Sequence, residues 1–158
     1  MITSTHFKNE NISKVNIHGI ETELDWNFNK NLSTFLNYTY NKSEIKEYSP
    51  DPKVEGNYLP RAPHQNISLG LTFKDPKLFD FTVLFDCKDK RFADNQNSLK
   101  MESYYTIDCS LSRSLSKNIK VYLDIENITN EKYTVYNSAM EHILAPGRIV
   151  LGKVKLTF

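Results

Sequence analysis

Ionisable side chains recur at every second position in three places: Glu21, Glu23 and Asp25, then Asp124 and Glu126, then Lys153 and Lys155. Paired carboxylates near a cation can act as general acid and base. Here no nucleophile and no histidine falls beside them, so no enzyme activity is expected. A charged, hydrated cavity wall accounts for the same residues. A second set is aromatic and basic: Tyr48, Tyr58, Arg61 and His64, then Arg91 and Phe92, then Tyr133, Tyr136, Met140 and His142. Rings and guanidinium groups together can hold catecholate or carboxylate compounds by stacking and bidentate hydrogen bonds. Met140 and His142 are residue types that ligate haem iron. The same residues also suit a plainer role, in which Pro60 and Pro63 shape loop ends and the histidines are solvated. Cys87 and Cys109 are too few and too far apart for a zinc site, and no resident metal or cofactor is expected.

The elements that must carry these residues are strands. Alternation with period two recurs along the whole chain, and helical spacing is absent. Ile20, Leu24, Trp26 and Phe28 share a face opposite the three acidic residues of that run. Leu32, Leu36, Tyr38 and Tyr40 form the next face, with Thr34 and Phe35 breaking the pattern. Ile67, Leu69, Leu71 and Phe73 are followed by Phe79, Phe81, Val83, Phe85 and Cys87. Tyr105, Ile107, Cys109 and Leu111 come next, then Val121, Leu123 and Ile125, and finally Val150, Val154, Leu156 and Phe158. All 6 prolines lie outside these runs, as the missing backbone donor requires. The expectation is seven antiparallel strands.

Their connections alternate in length. Asn29–Asn31, Lys74–Lys77 and Ser116–Asn118 are tight turns, whereas about Glu44 to Gln65, Arg91 to Ser103 and Ile128 to Arg148 are long loops. Short turns gathered at one end and long loops at the other are the pattern of a membrane barrel. Trp26, Phe28, Phe73, Phe79 and Phe158 cluster at the short-turn ends, and Tyr38, Tyr40 and Tyr105 at the long-loop ends. Two aromatic belts flanking aliphatic positions fit an apolar band facing lipid. The net charge of +1 lacks the basic excess of a nucleic-acid binder. No apolar run approaches the ~20 residues of a membrane-spanning helix, and no secretory leader follows Met1. A soluble lipocalin-like carrier, with the same two faces turned inside out, is the alternative. A complete small barrel of structural role is a further one, although single-chain bacterial barrels use even strand numbers from 8 upward.

Five segments resemble, in order, the terminal region of TonB-dependent outer-membrane receptors. They are Gly19-Ile-Glu-Thr-Glu, Leu36-Asn-Tyr-Thr-Tyr, Leu59-Pro-Arg-Ala-Pro-His-Gln, the run from Asp124 to Tyr133, and Pro146-Gly-Arg148 followed by one strand ending at Phe158. The resemblance implies a 22-stranded up-and-down transmembrane β-barrel of a Gram-negative outer membrane, of which residues 14–158 would be the C-terminal part. Residues 1–13 would be the remnant of the preceding loop or strand. It further implies uptake of a bulky nutrient such as a ferric siderophore, haem or cobalamin. Outer-membrane lipid, the remaining barrel, a plug and TonB would be the partners. Neither plug nor coupling segment is recognisable here, and no transport is expected from this segment alone. Tyr58, Arg61, His64, Tyr133 and His142 are the ligand-contact candidates.

Gly152, Val154, Leu156 and Phe158 resemble the terminal signal by which outer-membrane barrels reach the assembly machinery. An exposed strand with a free edge can template onto another sheet. A fourth-to-fifth-strand hairpin symmetric about Ser98 would set Cys87 and Cys109 opposite each other, with Cβ atoms ~5 Å apart. A disulfide is one expectation there, and two unpaired lipid-facing thiols the other.

Overall fold

The computed structural model describes residues 14–158, so the expectation for residues 1–13 lies outside the described chain. The long strands are β1 (Lys14–Asn27), β2 (Leu32–Glu47), β3 (Gln65–Lys74) and β4 (Asp80–Lys88). They continue, after two short strands β5 (Arg91–Phe92) and β6 (Lys100–Met101), as β7 (Tyr104–Ser114) and β8 (Ile119–Glu126). A second short pair, β9 (Thr134–Asn137) and β10 (His142–Leu144), precedes the final long strand β11 (Ile149–Leu156). The seven long strands form one antiparallel sheet in the order β1-β2-β3-β4-β7-β8-β11, an up-and-down meander. The two short pairs form hairpins of their own within the long loops.

Register converts the sequence alternation into two continuous faces. Leu24, Leu36, Leu69, Phe85 and Ile107 lie in one cross-strand row. Trp26, Thr34, Leu71, Val83, Cys109, Ile125 and Val150 form the next row on that face. The opposite face carries Glu23, Asn37, Ser68, Asp86 and Thr106 in one row. β2 therefore runs without a break: Thr34 faces the apolar side and Phe35 the polar side, where it sits opposite Gly70. The irregularity read from the sequence is an exchange of residue types within a regular strand.

On the polar face, side chains satisfy one another across the strands. Lys120 and Ser112 both reach Asp80, at 2.7 Å and 3.3 Å. Lys153 and Ser110 both reach Asp124 at 2.6 Å. Ser68 donates to Asp86, and the hydroxyls of Thr72 and Thr82 lie 3.3 Å apart. Carboxylates held by hydroxyls and ammonium groups are tolerated on a wall, whereas an unpaired buried charge would not be.

Among the described residues no protein layer covers the apolar face. Leu24 is 57% exposed, Trp26 63% and Val154 67%. Among the described residues the buried apolar side chains are Ile45, Val54 and Met101, all near the long-loop end. The accessible surface is 11579 Å², against about 8,200 Å² for a compact chain of 18.4 kDa.

Turn chemistry fixes the short-turn end. Asn29 Oδ1 accepts from the amides of Asn31 and Leu32 at 2.8 Å and 3.0 Å. Asn31 then pairs reciprocally with Lys74, its side-chain amide donating to the Lys74 carbonyl and its own carbonyl accepting from the Lys74 amide. Asn118 repeats the device with Thr157, which ties the chain end to the β7–β8 turn.

The cysteine register differs from the symmetric expectation. Cys87 stands opposite Tyr105 and Cys109 opposite Val83, so the two thiols share a face but are offset by four residues. At about 3.3 Å per residue that is roughly 13 Å, beyond the ~7 Å reach of a disulfide. Both cysteines are free. The cause is Asp94, whose carboxylate accepts from the Ser98 and Leu99 amides and from the Ser98 hydroxyl. With Asn97 in the left-handed region at φ 56°, the hairpin turns two residues earlier than Ser98.

Candidate functional site: the aromatic and arginine cluster of the long loops

β1 and β2 have 14 and 16 residues, more than the 9–11 a membrane strand needs. Their upper ends stand beyond the apolar band and support the first long loop. That loop folds back on β2: Ile45 donates to the Asn57 carbonyl at 2.9 Å, and Leu59 donates to that of Ser43 at 2.9 Å. A 3₁₀ turn at Pro52–Val54, capped by the Asp51 side chain, buries Val54. The β5–β6 hairpin then docks on this loop through amide groups. Asn97 accepts from the Tyr58 amide at 2.8 Å and donates to the Tyr58 carbonyl at 3.0 Å, while Asn57 donates to the Asn95 carbonyl at 2.9 Å.

This docking assembles aromatic rings from separate loops. Tyr58 and His64 meet edge to face with centroids 4.3 Å apart. Tyr58 lies parallel to Phe92 at 6.4 Å. Arg61 adopts φ 62°, so its amide can donate to the Phe92 carbonyl at 2.7 Å. Its guanidinium sits 5.0 Å from the centre of the Tyr136 ring.

A second group forms where the β8–β11 loop crosses the top of β7. Tyr104 and Tyr133 stack with centroids 3.7 Å apart and planes 8° from parallel. The Arg91 guanidinium lies 5.5 Å from the Tyr104 centroid, and its Nη2 donates to the Thr134 carbonyl at 3.2 Å. Its Nη1 is buried without a hydrogen-bond partner. An unmet guanidinium donor on an aromatic platform suits an incoming anion. Burial, then the neighbouring Tyr104, pushes the Tyr133 phenol above its usual range, so it stays a neutral donor.

The candidates named from sequence therefore fall into three positions. Tyr58, His64 and Arg61 are brought together with Phe92 and Tyr136, and Tyr133 joins Arg91. His142 is exposed, and its Nε2 lies 2.7 Å from the Thr134 hydroxyl; Met140 is 78% exposed. Sequence reading missed Tyr104, Asn57 and Asn97. The alternation assigned Tyr105 to the apolar face, which leaves Tyr104 facing the other way. Among the described residues no group of three or more histidine, cysteine or acidic side chains is placed to hold a metal ion.

A family model described as "TonB dependent receptor-like, beta-barrel" matches residues 1–128. The chain belongs to the TonB-dependent receptor β-barrel family. In sequence, this barrel segment is 29% identical over 126 residues to the ferrioxamine receptor of Yersinia enterocolitica, covering 76% of the chain and 18% of that protein. It is 23% identical over 132 residues to the probable TonB-dependent siderophore receptor PiuA of Acinetobacter baumannii, covering 78% of the chain and 18% of that protein. In structure it is similar to the ferric yersiniabactin uptake receptor FyuA of Yersinia pestis, with a TM-score of 0.82, 18% identity, and coverage of 91% of the chain and 24% of FyuA. The unliganded ferric citrate transporter FecA gives a TM-score of 0.80 at 19% identity, with coverage of 91% and 24%. The TonB-dependent barrel segment thus spans about a fifth of the length of the curated relatives it matches.

Proposed function

We propose that this chain is a C-terminal section of the wall of an outer-membrane receptor that imports a bulky iron complex. The apolar face lies against outer-membrane lipid and the polar face borders a hydrated lumen filled by a plug. TonB, working through that plug, supplies the energy. The long-loop cluster of Tyr58, Arg61, His64, Arg91, Tyr104 and Tyr133 contacts the ligand, and no bond-making chemistry is assigned to it. Gly152, Val154 and Leu156 in β11, with Phe158 just beyond it, serve recognition by the assembly machinery.

The observation that carries the ligand role is the buried, unpartnered Nη1 of Arg91 beside the Tyr104–Tyr133 stack. A cation held against stacked rings favours a planar or multiply charged anion, the chemistry of ferric chelates built from carboxylates or catecholates. The relatives named for ferrioxamine and for siderophores support an iron complex over other cargo.

The test is uptake of radioactive iron presented as ferrioxamine, ferric citrate or a ferric catecholate, in cells whose receptor carries this segment. One complex is imported and its import stops when the proton-motive force is collapsed. Arg91→Ala lowers its affinity at least tenfold while the barrel still resists unfolding by detergent. Import of none of the complexes, or import unaffected by loss of the proton-motive force, refutes the reading. Expression of residues 14–158 alone gives no import, because the outer edges of β1 and β11 would then be unpaired in hydrocarbon.

A further inference from the structure

We infer that the short-turn end of this segment carries a collar for anionic phospholipid headgroups, built from Lys30, Lys77, Arg113 and Lys117. The inference rests on the membrane-barrel reading above and adds the lipid class that one rim selects. All four cations are exposed, and among the described residues none forms an ion pair. At the long-loop end four lysines are matched by carboxylates, Lys42 and Lys46 by Glu44, Lys14 by Glu47 and Lys100 by Glu102, while Lys53, Lys90, Lys132 and Arg148 are exposed there without an ion pair among the described residues.

Each collar cation stands beside apolar groups at the rim. Lys30 follows Trp26 and Phe28, whose rings lie 6.4 Å apart. Lys77 is in the turn closed by the Phe73–Phe79 pair at 5.4 Å. Lys117 follows Leu115, which is 61% exposed. Arg113 is the informative member, because its register puts it on the apolar face, opposite Val121 and in the row of Val154. A guanidinium facing hydrocarbon is costly unless it reaches up to the interface. One step from the end of β7 it can do so, and what it meets there is phosphate. Asp75, the carboxylate within these turns, accepts from the Lys77 amide at 2.8 Å and forms no ion pair with the collar cations. Aromatic rings at acyl-chain level with unpaired cations just beyond them match the layering of a headgroup over its tails.

The experiment uses the complete barrel carrying this segment, reconstituted in phosphatidylcholine vesicles. Spin-labelled phosphatidylglycerol and phosphatidylcholine report which lipids sit in its boundary layer. The expected result is a preference for phosphatidylglycerol that weakens in high salt and falls by up to about fivefold per cation removed at low salt. The combined variant K30Q/K77Q/R113Q/K117Q loses this increment, whereas K30R/K77R/R113K/K117R keeps it. Removing four exposed cations from the long-loop end, K53Q/K90Q/K132Q/R148Q, changes the preference less. An equal loss from that control set, or no loss from the collar set, overturns the collar and leaves the barrel reading standing. Absence of any boundary lipid of either kind overturns both.

Discussion

Phe35 and Gly70 share one cross-strand position on the polar face, and the phenyl ring occupies the space that a Gly70 side chain would need. Thr34, the preceding residue, donates its hydroxyl to the Gly70 carbonyl at 2.7 Å. A ring laid over a glycine on the neighbouring strand supplies the packing that the glycine lacks. Gly70→Val is expected to destabilise the barrel by about 1–3 kcal/mol through overpacking, read as a lower urea midpoint in detergent. Phe35→Ala in the same chain should recover part of that loss. Additive losses in the double variant would show that the two positions do not share space.

The two faces make opposite predictions for a charge. Arginine at Leu69 or Leu123, near mid-depth on the apolar face, should cost about 2–4 kcal/mol in a bilayer. Arginine at Ser68 or Thr82, on the polar face, should cost far less, because water and carboxylates are at hand. Equilibrium unfolding from vesicles measures both sets. Comparable losses on the two faces would contradict the assignment of lipid and lumen.

Acid should loosen the β5–β6 hairpin before the sheet. Burial alone would raise the Asp94 carboxyl, but hydrogen bonds from the Leu99 amide, the Ser98 hydroxyl and the Ser98 amide outweigh it and hold the group below its usual range. A depressed folded value means that the stabilisation is fully present above the unfolded value and is lost as pH falls through the folded one. Amide exchange at Ser98 and Leu99, corrected for its intrinsic pH dependence, should therefore rise at acid pH while β3 and β4 stay protected. Asp94→Asn should show the faster exchange at neutral pH as well.

The offset register predicts that Cys87 and Cys109 do not bond. Both thiols should react with maleimide after denaturation without reductant, even when the folded barrel has been treated with an oxidant. Protection of the pair after oxidation would require the β4–β7 ladder to slip.

Much of this fold is legible in the residues. Strand number, strand order and the division of faces follow from alternation and from turn signals such as Asn29-Lys30-Asn31, because both are short-range properties. Phe35 was unreadable for a reason of the same physics: its ring suits the polar face only because residue 70, on another strand, is glycine. The hairpin register failed for a similar cause. Counting residues centres the hairpin on Ser98, whereas Asp94 and Asn97 set the turn through side-chain hydrogen bonds and the ladder is centred on residue 96. At the candidate site, Tyr58, Arg61 and Tyr133 stand out by type. Their partners, Tyr104 and the amides of Asn57 and Asn97, are fixed by loop docking that no single segment encodes.

Seven strands in a strictly alternating meander leave β1 and β11 pointing the same way, both toward the short-turn end. Brought together directly, those edges would meet as a parallel pair, which breaks the hydrogen-bond pattern of an up-and-down wall. Two copies joined head to tail inherit the same mismatch at each junction. A ring that keeps every neighbour antiparallel needs an insert that both begins and ends with a strand running toward the long loops. Such an insert contains an odd number of strands, so the direction of two edges fixes the parity of everything that lies between them.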